Sequence, residues 1–192
     1  MIPKSAPASN VHASMQWMTK VIEQSLMVES AELFDVVKDF CQICFVPRDE
    51  YFTLCATELL AHLSGSPKIY LESYLVNPFT DTQRIHQLVQ DLREMETSPN
   101  QQFALGSILK LYAFSFWKTS TGEMDAAAKN TLWHETVSPW YMESKQLMTT
   151  QNDWNGLAAS YGQQAIICLF DLQEFDTAMD LLRKDLELIE QH

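Results

Sequence analysis

Residues 98–118 read SPNQQFALGSILKLYAFSFWK, and this stretch decides the fold. Ser98 is a capping residue, Pro99 suits the first helical position, and Gln101 stands three residues after the cap. Behind this start signal come Phe103, Ala104, Leu105, Ile108, Leu109, Leu111, Tyr112, Phe114, Phe116 and Trp117. They are apolar nearly all round a helix, so the helix belongs at the centre of a helical globule. Lys110 interrupts the run, which is too short to span a bilayer.

The surrounding segments keep the same period. Val11, Met15, Met18, Ile22 and Leu26 recur at helical spacing behind Ser9 or Asn10. A second helix over about 30–45 turns Leu33, Phe34, Val37, Phe40, Cys41 and Cys44 inward. Pro47 opens a third with Tyr51, Leu54, Cys55, Leu59 and Leu63 inward, closed by Ser64-Gly65-Ser66-Pro67. A short segment, Lys68–Val76, ends at Asn77-Pro78. Thr80 and Gln83 have capping-box spacing ahead of Ile85, Leu88, Val89 and Leu92. Beyond Gly122 the pattern predicts a helix over about 123–136, and a new one capped by Ser138-Pro139. A long one follows from Asn152 or Asp153. A last one over about 174–190 turns Phe175, Ala178, Met179, Leu182, Leu186 and Ile189 inward. No run of alternating β-branched residues argues for a strand. The expectation is an all-α globule of nine or ten helices in one domain, 1–192, with 1–9 a flexible N-terminal segment.

The chain has 192 residues, 25 acidic against 13 basic, and a net charge of -12 spread evenly over both halves. That balance disfavours a nucleic-acid binder, which draws its affinity from Lys and Arg on phosphates. It suits either plain solubility or a basic partner. Met1–Asn10 has no apolar core, so no secretory signal is read there, and the four cysteines read as buried thiols of a reducing cytoplasm. Neither they nor the five histidines show metal-ligand spacing. There is no G-x-S-x-G, H-E-x-x-H, phosphate loop or dinucleotide fingerprint. The expectation is a binding protein with no catalytic residues, no metal and no cofactor.

Four stretches in order carry a resemblance. They are Tyr51-Phe-Thr-Leu54-Cys55; Tyr70-Leu-Glu72-Ser-Tyr74-Leu75 with Asp81-Thr-Gln-Arg84; Pro99-Asn-Gln101-Gln102-Phe103; and Trp133-His134 with Ser138-Pro139-Trp140. Together, over about residues 30–170, the chain resembles the TorD/NarJ family of cytosolic redox-enzyme maturation chaperones. Gln101-Gln102 stand where that family has an Asp-His pair. The resemblance implies a TorD-like helical fold and a chaperone role. The implied client is the precursor of a molybdenum or iron-sulfur oxidoreductase catalytic subunit. The chaperone holds its twin-arginine signal peptide, or the immature subunit itself, through cofactor insertion and before export. It implies a peptide-binding set of Tyr51, Leu54, Tyr70, Glu72, Tyr74, Pro99, Gln101, Gln102 and Trp140 on a monomer or homodimer without stable membrane insertion.

Blander readings of the same residues stand beside it. Tyr70 and Tyr74, one turn apart, also fit core or boundary positions, and Glu72 fits a solvated surface. Gln101 and Gln102 fit a helix start, and Trp140 fits a packing anchor. The alternative function is a general helical adaptor whose last helix pair has a tetratricopeptide flavour.

Overall fold

The structure is a computed structural model that describes residues 31–45 and 49–191. The expected first helix, the N-terminal segment 1–9 and Pro47 lie outside the described residues. The described residues are helix, turn and loop, with no strand. They divide at Asn77–Pro78 into two compact units.

In the first unit, α1 (Ala31–Cys44), α2 (Glu50–Leu60) and α3 (Gly65–Leu75) enclose an aromatic core. The Asp49 carboxylate caps α2 by accepting from the Tyr51 N–H at 2.9 Å. The Ser64–Pro67 stretch does not end a helix as expected. It forms the first turn of α3, where the missing N–H of Pro67 costs no hydrogen bond because those donors have no helical partner. Phe34, Val37, Phe40, Cys41 and Cys44 are buried, as the helical spacing requires. On α2 the buried face is Tyr51, Phe52, Cys55, Ala56 and Leu59. Leu54, expected inward, is 60% exposed, and Phe52 takes the core position instead, stacked on Phe40 at 5.1 Å.

The second unit begins with α4 (Thr82–Glu94) and α5 (Pro99–Ser120). The α4 cap is Asp81, not Thr80: its carboxylate accepts from the Arg84 N–H at 3.1 Å. Ile85, Leu88, Val89 and Leu92 are buried as expected. Ser98 caps α5 as read, accepting from the Gln101 N–H at 3.1 Å.

Residues 126–150 depart from the expected two helices. Here α6 (Ala126–Leu132) runs through a π-helical turn, Trp133–Val137, straight into α7 (Ser138–Thr150). Ser138 makes no cap. Its backbone is helical, and its N–H reaches back five residues to the Trp133 carbonyl. A regular α-helix would drive the Pro139 ring into the carbonyl four residues earlier. The widened turn ends just before that proline and lets the helix pass it. A second π-helical turn, Ile167–Leu172, extends α8 (Trp154–Ile166). Gln173 stops it in the left-handed conformation at φ 59°, and Glu174 N–H bonds the Cys168 carbonyl at 2.8 Å. The chain then forms α9 (Phe175–Gln191).

Helix α5 packs against α4 and α7, and α8 against α7 and α9. The α5–α7 crossing is close. Ser144 Oγ donates to the Gly106 carbonyl at 2.7 Å, and a Cβ placed on Gly106 would stand 3.2 Å from Leu147 Cβ. Both π-helical turns feed one core cluster with Ala113, Trp117, Tyr141, Ala165, Ala178 and Leu181, supplying Trp133, Val137, Ile167 and Cys168. No helix among the described residues is long and apolar enough to cross a membrane.

Candidate functional site

The nine residues of the expected peptide-binding set fall into both units. In the first unit Tyr51 and Tyr70 are buried, at 6% and 2% exposure. The Tyr70 hydroxyl shares a 3.0 Å hydrogen bond with the Tyr74 hydroxyl, one helical turn on, and its ring meets Phe34 at 5.5 Å. Tyr74 is half-buried and meets Phe45 edge-on at 5.0 Å and Phe52 at a tilt at 6.4 Å. Phe45 sits at the end of this cluster with 36% of its surface open. Glu72 is half-buried and Leu54 is exposed. Of the expected set in this unit, Leu54, Glu72 and Tyr74 have surface to offer, with Phe45 beside Tyr74, while Tyr51 and Tyr70 are core.

Tyr51 also lies against a thiol. Burial, then the nearby Cys55, holds its hydroxyl proton more tightly than usual. Burial likewise pushes the Cys55 thiol up, and the Tyr51 hydrogen bond works against that. Cys41 is driven up by burial and by Cys44. These are not activated thiols. Among the described residues no three His, Cys, Asp or Glu side chains gather in a way that would hold a metal ion.

In the second unit the start of α5 places Pro99 at the surface and buries Gln101. The Gln101 side chain does not reach back to complete a capping box on Ser98. Its Nε2 donates to the Leu92 carbonyl at 2.7 Å, tying the start of α5 to the last turn of α4. Its Oε1 is buried with no hydrogen-bond partner among the described residues. Gln102 is half-buried, and its Oε1 accepts from Gln151 Nε2 at 2.7 Å. Both glutamines thus hold the fold around the α5 start.

Trp140 sits in a different setting. Its ring lies 4.8 Å from Tyr112 and 5.2 Å from Phe116, and His86 stacks on the far side of Tyr112 at 5.0 Å. Trp140 and Phe116 are half-buried and His86 is exposed. This shelf, built from α4, α5 and α7, presents aromatic faces with polar edges, a surface chemistry suited to a peptide that is part apolar and part wet. Tyr112, Phe116 and His86 were legible only as helix positions. What marks them is their meeting across three helices, which single-helix periodicity does not contain.

The second unit also holds half-buried lysines. Lys145 donates to Gln164 Oε1 at 3.2 Å and lies 4.9 Å above the Tyr161 ring. Burial and the Lys184 charge lower its pKa. Lys110 is lowered by burial, and the Asp153 charge offsets part of that. At the far end of α5, Asp171 accepts from Trp117 Nε1 at 2.8 Å and from Lys118 Nζ at 2.7 Å. Burial pushes the Asp171 carboxyl up, but those bonds and the Lys118 and Lys129 charges outweigh it and hold the carboxyl below its usual range.

Compared with protein-family models, with curated proteins and with solved structures, the chain matches none.

Proposed function

We propose that the chain is a non-catalytic, cytoplasmic chaperone for a molybdenum or iron-sulfur oxidoreductase. It holds the twin-arginine signal peptide or the immature catalytic subunit until the cofactor is in place. The observation that carries this reading is the ordered run of four motifs from Tyr51 to Trp140 on an acidic, all-helical chain. Its physical basis is complementarity. The apolar part of such a peptide needs aromatic area, and each unit taken by itself offers some: Tyr74 and Phe45 in the first, Trp140 and Phe116 in the second. Its guanidinium groups are drawn by the net negative charge, with Glu72 the candidate direct acceptor.

The test is calorimetry of the full chain with a synthetic peptide bearing two adjacent arginines followed by an apolar run. A peptide with glutamates in place of the arginines is the control. The arginine peptide is expected to bind and the control to fail. Trp140→Ala and Tyr74→Ala should each weaken binding about tenfold, the loss of one aromatic anchor. Equal binding of both peptides, or no effect of either substitution in a folded chain, overturns the reading.

The helical adaptor is kept as a second reading because of one observation. The α8–α9 hairpin closes on itself and still leaves apolar side chains outside, among them Phe170 at 71% exposure.

A further inference from the structure

The outer face of α9 is an apolar stripe. Phe175, Met179, Leu182, Leu186 and Ile189 are 61, 57, 36, 60 and 65% exposed. Their spacing is four, three, four, three, which is the alternation of a coiled-coil seam. Over 14 residues of helix the stripe runs about 21 Å. It exposes on the order of 500 Å², the size at which a monomer's largest patch is often functional.

The helix has its inner contacts elsewhere. Ala178 and Leu181 are buried in the core cluster with Trp133 and Cys168, and the Asp185 carboxylate approaches Gly162 of α8. At 100° per residue these positions lie to one side of the stripe. On its other side stand Asp176, Asp180, Arg183, Glu187 and Glu190. Arg183 is held by Asp180 at 2.9 Å. The open flank of the stripe therefore carries four carboxylates against one guanidinium and is acidic at both ends.

We propose that this face docks an amphipathic helix of a partner protein, apolar along one seam and basic along the flank that meets Asp176, Glu187 and Glu190. The seam spacing fits a helix laid along it, and the flank selects its charge. A second copy of this chain fits poorly. Parallel α9 helices would set Asp185 against Glu190 of the copy, and antiparallel ones would set Asp176 against Glu190. An anionic lipid surface meets the same acidic flank. The inference does not depend on the signal-peptide reading, since it uses none of those residues.

The experiment is titration of the full chain with a synthetic 21-residue helix carrying Leu and Ile at four-three spacing and Lys and Arg on the flanks. A peptide with Glu on the flanks is the control. The basic peptide should bind about tenfold or more tighter, and the difference should shrink as salt rises. Leu186→Glu and Ile189→Glu should each weaken binding about tenfold without lowering the melting temperature. The double substitution Glu187→Lys, Glu190→Lys should reverse the preference. Equal binding of the two peptides, or indifference to Leu186→Glu, overturns the proposal. So does a dimer in sedimentation that Leu186→Glu dissolves, which would give the face to a second copy. A photo-crosslinker at position 186 that captures the same monomer would give it to the chain's own residues, and vesicle binding lost in Leu186→Glu would give it to lipid.

Discussion

Helices α5 and α9 belong to the same unit and treat their apolar residues in opposite ways. Along 22 residues α5 buries ten positions spread round its girth, from Gln101 and Ala104 to Trp117. Along 17 residues α9 buries two, Ala178 and Leu181. The difference lies in their neighbours. Among the described residues, α4, α7 and the π-helical turn at Trp133 surround α5, with α8 touching it as well, while α9 packs chiefly on α8 and the turn at Ile167. A helix is buried by what lies round it, and its own apolar content only sets how much is gained when something does. Where neighbours are few, the same content becomes a surface.

The contrast can be broken most forcefully at the covered helix. Ile108 is 1% exposed, and Ile108→Ala should cost roughly 2–5 kcal/mol in urea unfolding. A loss below about half a kcal/mol would show that α5 is not enclosed. Next is the α5–α7 crossing. Gly106→Val sets a branched side chain against Leu147 and the Ser144 backbone, and should cost about 1–3 kcal/mol. Parent-like stability would mean the two helices separate readily.

A pH series sharpens the picture at the far end of α5. Asp171 is held below its ordinary range in the folded chain. Its contribution to stability is therefore present above the unfolded value of about 4 and is lost as pH falls through the folded one. The parent should lose stability between pH 5 and pH 3, on the order of the normal carboxylate range, by more than Asp171→Asn does. Identical pH profiles would remove Asp171 from the helix-end network. On the uncovered side, Leu186→Glu should change stability by less than about 0.5 kcal/mol. A larger loss would mean the stripe is covered in the free protein. One substitution should bring a gain. Gln173 occupies a left-handed position that glycine takes without strain, so Gln173→Gly should stabilise by about 0.5–1 kcal/mol.

The all-helical class, the α5 start and the inner faces of α1 and α4 were legible because each rests on local chemistry, caps and a 3.6-residue period. Residues 126–150 were misread because Ser138-Pro139 has the local signature of a helix start. The alternative, a turn widened by one residue, leaves no composition of its own. The α9 stripe was misread for a different reason: its period is real, but period does not say which side of a helix meets a neighbour. The candidate site was legible as a set of motifs and not as a surface. Nothing local to Tyr70 tells that Phe34 packs against its ring, and nothing local to Trp140 tells that Tyr112 and Phe116 stand beside it.

The four cysteines turn the two units into separately addressable bodies. Cys41, Cys44 and Cys55 lie in one and Cys168 in the other, all buried and none in a disulfide. Burial, with Glu174 nearby, pushes Cys168 up to about 11, so neither access nor thiolate favours reaction while the fold is closed. Alkylation should wait for an opening event, and the labelling rate at each cysteine then clocks the breathing of its own unit. A mass spectrum of partly labelled chains would therefore show whether the two open together or one before the other, with no probe added to the native sequence.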